Sequence, residues 1–548
     1  MIFQIRSFYL ILAYLSLNSL YALSQTSNQS AILDRDSSIN KNQTHVSWGF
    51  VRFFGSTTKV RFENYEIDKF LKQYPKFLPF EENIQIFYKQ RKMAYTWFDQ
   101  KGLIEQADNL YNRVSNLDPQ NSEEIPYQNS LDSLMNPDLP SRFTGAQKIK
   151  LELMLTAQYC VLSEILASEK KPDLLNDINW KPKGQKLSFE AYLDQVLNAP
   201  IQQIGLGESP INRQYELLKK YLEKYRELDK RGDYFKIKLE KISYKLGDSS
   251  EIVRQIKLRL NELGDLQDKN PNSIFNLQLE NAVKQFQIRH GLLDDGIVGK
   301  GTITELNVPY KQRIKQLIVN MERCMWVPEN VNTDYIAVNI PEFKLHVFSN
   351  NQLQWSCKVV VGKVMNKTVV FNADLKYVVF SPYWNVPQSI VRNEILKDMR
   401  KDRNYLSKHH MEITAYRNGL PEIRQRPGPL NALGKVKFLF PNSYNIYLHD
   451  TPSKSLFNEP IRAFSHGCIR VSEPFKLAQF LLRNQANWDD AAIQLAMDSG
   501  KEKYVSLTDK VSVFIVYFTS FVDAEGKINF RKDIYGRDER LAEMIMDF

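Results

Sequence analysis

Cysteine is scarce in this chain. Cys160, Cys324, Cys357 and Cys468 are the only four in 548 residues, too few and too scattered for a disulfide framework. Whether Cys324 and Cys357 pair is left open by sequence, and Cys160 lies in a helical apolar pattern as a small buried hydrophobe does. Long apolar runs are also lacking. Beyond the stretch 8–23, no segment approaches the ~20 apolar residues of a membrane-spanning helix. No cysteine stands near that stretch, which argues against a lipoprotein anchor. No second ligand stands at metal spacing from His290, and no Asp, Glu or Cys does so from His409-His410. The region before residue 246 has no catalytic signature.

What is present begins with Arg6, the apolar run and the small residues Ala22-Leu23-Ser24. This is the pattern of a secretory signal peptide over residues 1–24, with an uncleaved N-terminal anchor as the alternative. Either way the rest of the chain is expected to be exported. Residues 25–45 are rich in Ser, Asn and Gln and read as a flexible lead. The formal net charge is +10; removing Arg6 with the signal gives 10 − 1 = +9. A basic exported protein suits an anionic lipid or wall polymer better than nucleic acid.

Residues 46–246 read as helical. Leu151, Met154, Leu155, Leu162, Ile165 and Leu166 keep helical spacing, as do Leu218, Tyr221, Leu222, Tyr225 and Leu228 before Gly232. The aromatic cluster Phe87, Tyr88, Tyr95, Trp97 and Phe98 fits either a helical core or a sugar-stacking face. Residues 248–307 form a small unit. Ile252, Ile256, Leu260 and Leu263 mark a helix closed by Gly264. Ala282, Val283 and Phe286-Gln287 mark a second, followed by Gly291-Leu292, Asp295-Gly296-Ile297-Val298-Gly299 and Leu306-Asn307. This string resembles the small three-helix peptidoglycan-binding domain of wall enzymes, which implies contact with a glycan strand.

Residues 330–538 change texture. Ile336, Val338 and Ile340 alternate with polar residues, as do Phe343, Leu345 and Val347. Asn350-Asn351 signals a hairpin turn. Further strands are predicted at 354–361, 376–380, 444–448, 504–507 and 511–519, with a helix over 474–482 after the last cysteine. The domain is therefore mainly β, mixed with α. The insert 392–437 interrupts it with eleven Lys or Arg against five Asp or Glu and with Pro421, Pro427 and Pro429. A long irregular insert of this kind suits a lid.

The chemistry centres on Ser465-His466-Gly467-Cys468-Ile469-Arg470, with His449 nineteen positions before the cysteine. A thiol attacks as thiolate and needs a base. His449, at a predicted strand end, can take the proton and return it to a leaving amine. Asp450, a backbone carbonyl or Ser465 can orient its ring. Gly467 allows a tight turn that points the Gly467 and Cys468 amides at an oxyanion. Arg470 shares the cysteine's face and can hold a carboxylate. His466 is a secondary base candidate. A zinc site built from His449, His466 and Cys468 is the rival, opposed by the cation at Arg470.

These residues resemble the L,D-transpeptidase catalytic domain, in which a histidine precedes Ser-His-Gly-Cys. Fifteen residues separate His449 from Ser465, an interval that fits. Arg323–Pro328, Val360-Val361-Gly362-Lys363, Ser381–Pro387 and Arg531–Gly536 resemble the large exported branch, which joins a helical scaffold, a peptidoglycan-binding domain and a capped catalytic domain. The resemblance implies a periplasmic enzyme without metal or cofactor. It would form 3→3 cross-links through a Cys468 thioester, with a tetrapeptide donor stem, release of D-Ala and a diamino-acid acceptor. It implies covalent inhibition by carbapenems, stem binding at Arg470, a cleft lined by Tyr383 and Trp384, and a capping role for the insert. An L,D-carboxypeptidase or hydrolase of the same bond, and a non-catalytic wall-binding scaffold, are the alternatives.

Overall fold

The computed structural model describes residues 61–99, 102–115, 125–135, 144–168, 187–198, 208–328, 331–364, 367–417, 419–442 and 444–547. The expected signal peptide and flexible lead lie outside them. In the helical region, α1 (Tyr65–Gln73), α2 (Glu81–Gln90), α3 (Glu105–Ser115), α4 (Gln128–Met135), α5 (Gly145–Ser168), α6 (Phe189–Asn198) and α7 (Gln214–Arg231) share one apolar core. Helix α5 is its axis. Leu151, Leu153, Met154, Leu155 and Ala157 are all fully buried, so α5 is apolar around its circumference rather than along one stripe. Tyr88 and Trp97 are fully buried too. The aromatic cluster is therefore core, tied together by the buried Glu152 carboxylate, which accepts from Tyr88 Oη at 2.8 Å and the Trp97 amide at 2.9 Å. Gly232 ends α7 at φ +69°, a left-handed cap that glycine adopts without a Cβ penalty.

The next unit holds α8 (Glu251–Leu263), α9 (Leu277–Arg289) and α10 (Lys300–Leu306). Ser250 caps α8 by accepting from the Val253 amide, and Gly264 closes it at φ +88°. His290 is structural: its Nδ1 lies 2.7 Å from the Phe286 carbonyl and its ring stacks on Phe286. Helix α11 (Tyr310–Cys324) packs on α7 and leads into the sheet domain.

That domain is built on β1 (Tyr335–Asn339), β2 (Lys344–Ser349), β3 (Gln352–Gly362), β4 (Phe371–Asp374), β5 (Tyr377–Phe380), β6 (Trp384–Asn385), β7 (Met411–Arg417), β8 (Leu420–Gln425), β9 (Val436–Leu439), β10 (Leu448–His449), β11 (Ala463–Ser465), β12 (Ile469–Val471), β13 (Lys503–Ser506) and β14 (Ser512–Val516). Eleven strands form one sheet in the order β13-β5-β9-β10-β12-β3-β2-β1-β14-β4, with β11 added beside β3. Asn350 and Asn351 turn the β2–β3 hairpin at φ +51° and +58°, as a type I′ turn requires. β10 runs parallel to β12, and β12 antiparallel to β3. Two helices, α12 (Pro474–Leu482) and α13 (Asp490–Asp498), cover one face. A last helix, α14 (Arg537–Ile545), packs back on the helical region.

Three expectations are corrected. First, β1 is buried on both faces, not one. Ile336 and Val338 enter the sheet core, while Tyr335 and Ala337 enter the helical core, because the helical region packs on that side. Second, residues 392–437 are not irregular. β7 and β8 form a hairpin, β8 pairs with β6, and Val391, Ile395 and Ile423 give the insert a small core of its own. Val436 and Lys437 already belong to the main sheet. Third, the strand expected over 444–448 shrinks to β10. Asn445 takes φ +53°, and the Asn442 side chain bonds the amides of Tyr444 and Ile446 and the carbonyls of Phe440 and Ile446, drawing them away from a ladder.

Candidate active site

Strand alternation separates the site from the core. In β5, β9, β10, β12 and β3, the residues Val378, Phe380, Val436, Phe438, Leu448, Ile469, Val471, Val359 and Val361 enter the sheet core. The intervening residues form a row on the opposite face. Val379 is paired with Lys437, Lys437 with His449, His449 with Arg470, and Arg470 with Val360. Two positions earlier than His449 and Arg470, Cys468 lies beside Tyr447. Cys468, His449 and Arg470 thus share a face.

His449 is buried, and its Nδ1 lies 2.5 Å from the Asp450 carbonyl oxygen. A carbonyl only accepts, so Nδ1 carries the proton and Nε2 keeps a free lone pair. That is the tautomer a base needs. The backbone carbonyl is therefore the orienting group. The Asp450 carboxylate instead accepts from the Lys435 amide at 2.9 Å and pairs with Lys454. It presses so closely on Gly434, at φ +61°, that a Cβ there would collide with it. Burial, then Arg470, push the imidazole down to about 3.

Cys468 is half-buried, and its thiol donates to the Asn445 carbonyl at 3.5 Å. Burial pushes the thiol up to about 11, opposed by hydrogen bonds from Tyr447 and by Arg470. The resting pair is a neutral thiol beside a neutral imidazole, not an ion pair. The rate of Cys468 alkylation by iodoacetamide should therefore rise about tenfold per pH unit from pH 7 to 10, following the thiolate fraction. A plateau starting below pH 8 would instead show a preformed thiolate–imidazolium pair.

Ser465 shapes the turn rather than the imidazole. Its Oγ donates to the Cys468 carbonyl at 2.5 Å and accepts from the Gly467 amide at 3.1 Å. Gly467 stands at φ +122°, a conformation that excludes most side chains. Its amide, expected to face an oxyanion, is committed to Ser465, and Cys468 supplies the remaining amide. His466 pairs with the insert: Nε2 lies 2.7 Å from Glu394 Oε1. The three groups of the zinc alternative thus have separate partners.

Arg470 is half-buried, and its Nε has no acceptor among the described residues. A guanidinium nitrogen held dry and unpaired is costly and suits an incoming anion. Trp384 reaches the site, sharing a side-chain hydrogen bond with Tyr447. Tyr383 carries the Arg424 guanidinium 4.3 Å over its ring, so its face is taken by the insert. Sequence reading missed Lys437, a second buried cation flanking His449 and 3.6 Å from Glu502. It also missed Tyr447, Asn445 and Glu394. Period-two alternation applied to Tyr447 and His449 offered a signal for Tyr447; nothing local marks the others. Glu394→Gln should raise KM about fivefold at most, since half-exposed pairs contribute ~0–1 kcal/mol, and leave iodoacetamide reactivity unchanged. Stopped-flow acylation and alkylation rates check this.

The L,D-transpeptidase catalytic domain model matches residues 333–502, which span this row of side chains. Residues 333–502 have the fold of an L,D-transpeptidase catalytic domain. The family model described as "Scaffold domain" matches residues 82–222, and that described as "Putative peptidoglycan binding domain" matches residues 249–306. A Haemophilus influenzae protein described as "Putative L,D-transpeptidase" is 32% identical over 251 residues, covering 42% of this chain and 50% of its own length. The chain thus spans about half the length of that relative. Among solved structures, the L,D-transpeptidase of Xylanimonas cellulosilytica is 13% identical, with 51% of this chain and 100% of that chain covered and a TM-score of 0.16. That of Stackebrandtia nassauensis is 13% identical, with 51% and 97% covered and a TM-score of 0.20. The four cysteines are free: Cys324 lies in the helical core and Cys357 in the sheet core.

Proposed function

We propose that the protein is an exported peptidoglycan L,D-transpeptidase that forms 3→3 cross-links through a thioester on Cys468. The observation that carries this is the row in which a thiol, an imidazole with a free Nε2 and a guanidinium with an unpaired Nε share one face of the sheet. Attack begins as Cys468 Sγ bonds the carbonyl carbon at the L-centre of a tetrapeptide stem and its proton passes to His449 Nε2. The carbon–nitrogen bond to D-alanine then breaks, and the imidazolium protonates the leaving amine. The side-chain amine of a diamino acid on a second stem attacks the thioester. His449 takes a proton from that amine, and the thiolate leaves and is reprotonated.

Arg470 fits the role of holding a stem carboxylate. That carboxylate would offset the cation that lowers His449, so substrate binding would raise the basicity of the imidazole. The insert, joined to the catalytic turn by Glu394 and His466, would cap the bound stem. Residues 248–307 would hold a glycan strand, and a carbapenem would acylate Cys468. The site would work in the periplasm, reached by a cleaved signal or held by an uncleaved anchor.

Purified tetrapeptide-stem muropeptides followed by mass spectrometry test this reading. A dimer that has lost one alanine is expected. Tripeptide without dimer would move the assignment to an L,D-carboxypeptidase. No turnover, with no carbapenem adduct, would leave a wall-binding scaffold.

A further inference from the structure

In the nucleophile turn the carbonyls of Ser465, Gly467 and Cys468 and the amide of Gly467 are hydrogen-bonded. The Ser465 carbonyl accepts from the Lys363 amide at 2.9 Å, and Ser465 Oγ bonds both the Gly467 amide and the Cys468 carbonyl. The Gly467 carbonyl accepts from Thr368 Oγ1 at 2.9 Å. Among the described residues, the amides of His466 and Cys468 in this turn have no acceptor, and the Cys468 amide is the one on the nucleophile's own residue. That amide is the donor offered to an oxyanion developing on the acyl group at Cys468.

Its direction follows from the peptide that contains it. In a trans peptide the C=O and N–H point in opposite directions. Thr368 draws the Gly467 carbonyl inward, which turns the Cys468 N–H the other way. Gly467, at φ +122°, offers little torsional resistance of its own. Something outside the turn must fix that plane, and the hydroxyl of Thr368 does so.

Thr368 is itself tightly held. It is fully buried. Its Oγ1 accepts from the Gly362 amide at 2.9 Å, so both capacities of the hydroxyl are used. Its amide donates to Tyr535 Oη at 3.3 Å, and Tyr535 Oη donates to the Gly362 carbonyl at 2.5 Å. Its carbonyl accepts from Arg537 Nη2 at 3.1 Å, and Arg537 Nη1 bonds Glu105 of α3 at 2.7 Å. A continuous set of bonds thus runs from the helical region through Arg537 and Thr368 to the catalytic turn.

We propose that Thr368 is a positioning residue for acyl transfer, aiming the Cys468 amide at the oxyanion of the tetrahedral intermediate. This rests on Cys468 being the acyl-transfer nucleophile. Thr368→Val keeps the side-chain shape and removes the hydroxyl, while Thr368→Ser keeps the hydroxyl. Each full-length variant is compared with the parent in two single-turnover reactions at Cys468. Acylation by a tetrapeptide stem builds an oxyanion. Alkylation by iodoacetamide is a direct displacement at carbon and builds none.

Loss of one oxyanion donor costs ~10²–10³-fold in rate, and a misaimed one less. Thr368→Val should acylate about 10–100-fold more slowly and alkylate at the parent rate, and Thr368→Ser should recover most of the acylation. Parent-like acylation by Thr368→Val overturns the proposal. So does an equal fall in both reactions, or a Thr368→Ser variant as slow as Thr368→Val. A parent protein that is alkylated but never acylated would instead overturn the reading of Cys468, and this proposal with it.

Discussion

Replacing His449 with Gln should slow acylation of Cys468 by a tetrapeptide stem about 10²–10⁴-fold, the usual contribution of a positioned general base. Glutamine can still donate to the Asp450 carbonyl that holds the ring at 2.5 Å, so the site should keep its shape. What disappears is the unprotonated nitrogen. The thiol of Cys468 lies near pH 11, so without a proton acceptor almost no thiolate exists at neutral pH. In the variant, acylation should become linear in hydroxide across pH 7–10, while the iodoacetamide rate stays close to that of the parent. Rapid-quench kinetics at several pH values measure both. An acylation rate unchanged in His449→Gln would remove the imidazole from the mechanism.

The second large effect is expected at Arg470. Its Nε is buried without an acceptor, and charge-assisted hydrogen bonds contribute ~1.5–3 kcal/mol. Arg470→Gln should therefore lower kcat/KM by about 10–100-fold for a stem with a free carboxylate. The loss should largely vanish for the same stem amidated at that group, because the partner of the guanidinium is then absent from both reactions. A second signature lies in pH. Arg470 is one of the two causes that depress His449, after burial. Removing it should raise the imidazole pKa of the free enzyme from about 3, so the acid limb of the kcat/KM profile should move to higher pH. Equal losses on free and amidated stems would assign Arg470 to folding rather than to substrate.

Much of this site is legible in the sequence, because strand geometry has a period of two. Cys468 and Arg470 share a face wherever the segment is extended, and the Ser465–Arg470 string announces the chemistry. The lateral register is not legible. That β10 runs parallel to β12, with His449 beside Arg470, is set by where the intervening chain returns. Lys437 joins the row from β9, Glu394 from the insert and Thr368 from the segment after β3. Each is distant in sequence, and each is an ordinary polar residue in its own neighbourhood. The double burial of β1 was hidden for a similar reason. Ala337 and Tyr335 read as the wetter face of an alternating strand until the helical region covers them. The shortened β10 depends on one side chain, Asn442, whose four local hydrogen bonds outcompete a ladder.

The helical region bears on the catalytic turn as well as on the core. Tyr444, in the loop before β10, bonds the Asp108 carbonyl of α3, and its ring meets Tyr111 edge-on at 6.4 Å. The same loop carries Asn445, whose carbonyl receives the Cys468 thiol. Together with the Glu105–Arg537 pair, this gives α3 two contacts that lead to the cysteine by different routes.

The measurement that tests the central claim most directly is the mass of the intact protein within seconds of mixing with a tetrapeptide stem. One equivalent of tripeptide acyl group is expected on the parent, mapped by proteolysis to the peptide containing Cys468, with one D-alanine released. Cys468→Ala should gain no mass. Release of D-alanine without an adduct, even in acid-quenched samples with no acceptor present, or an adduct on any other residue, would contradict a Cys468 thioester.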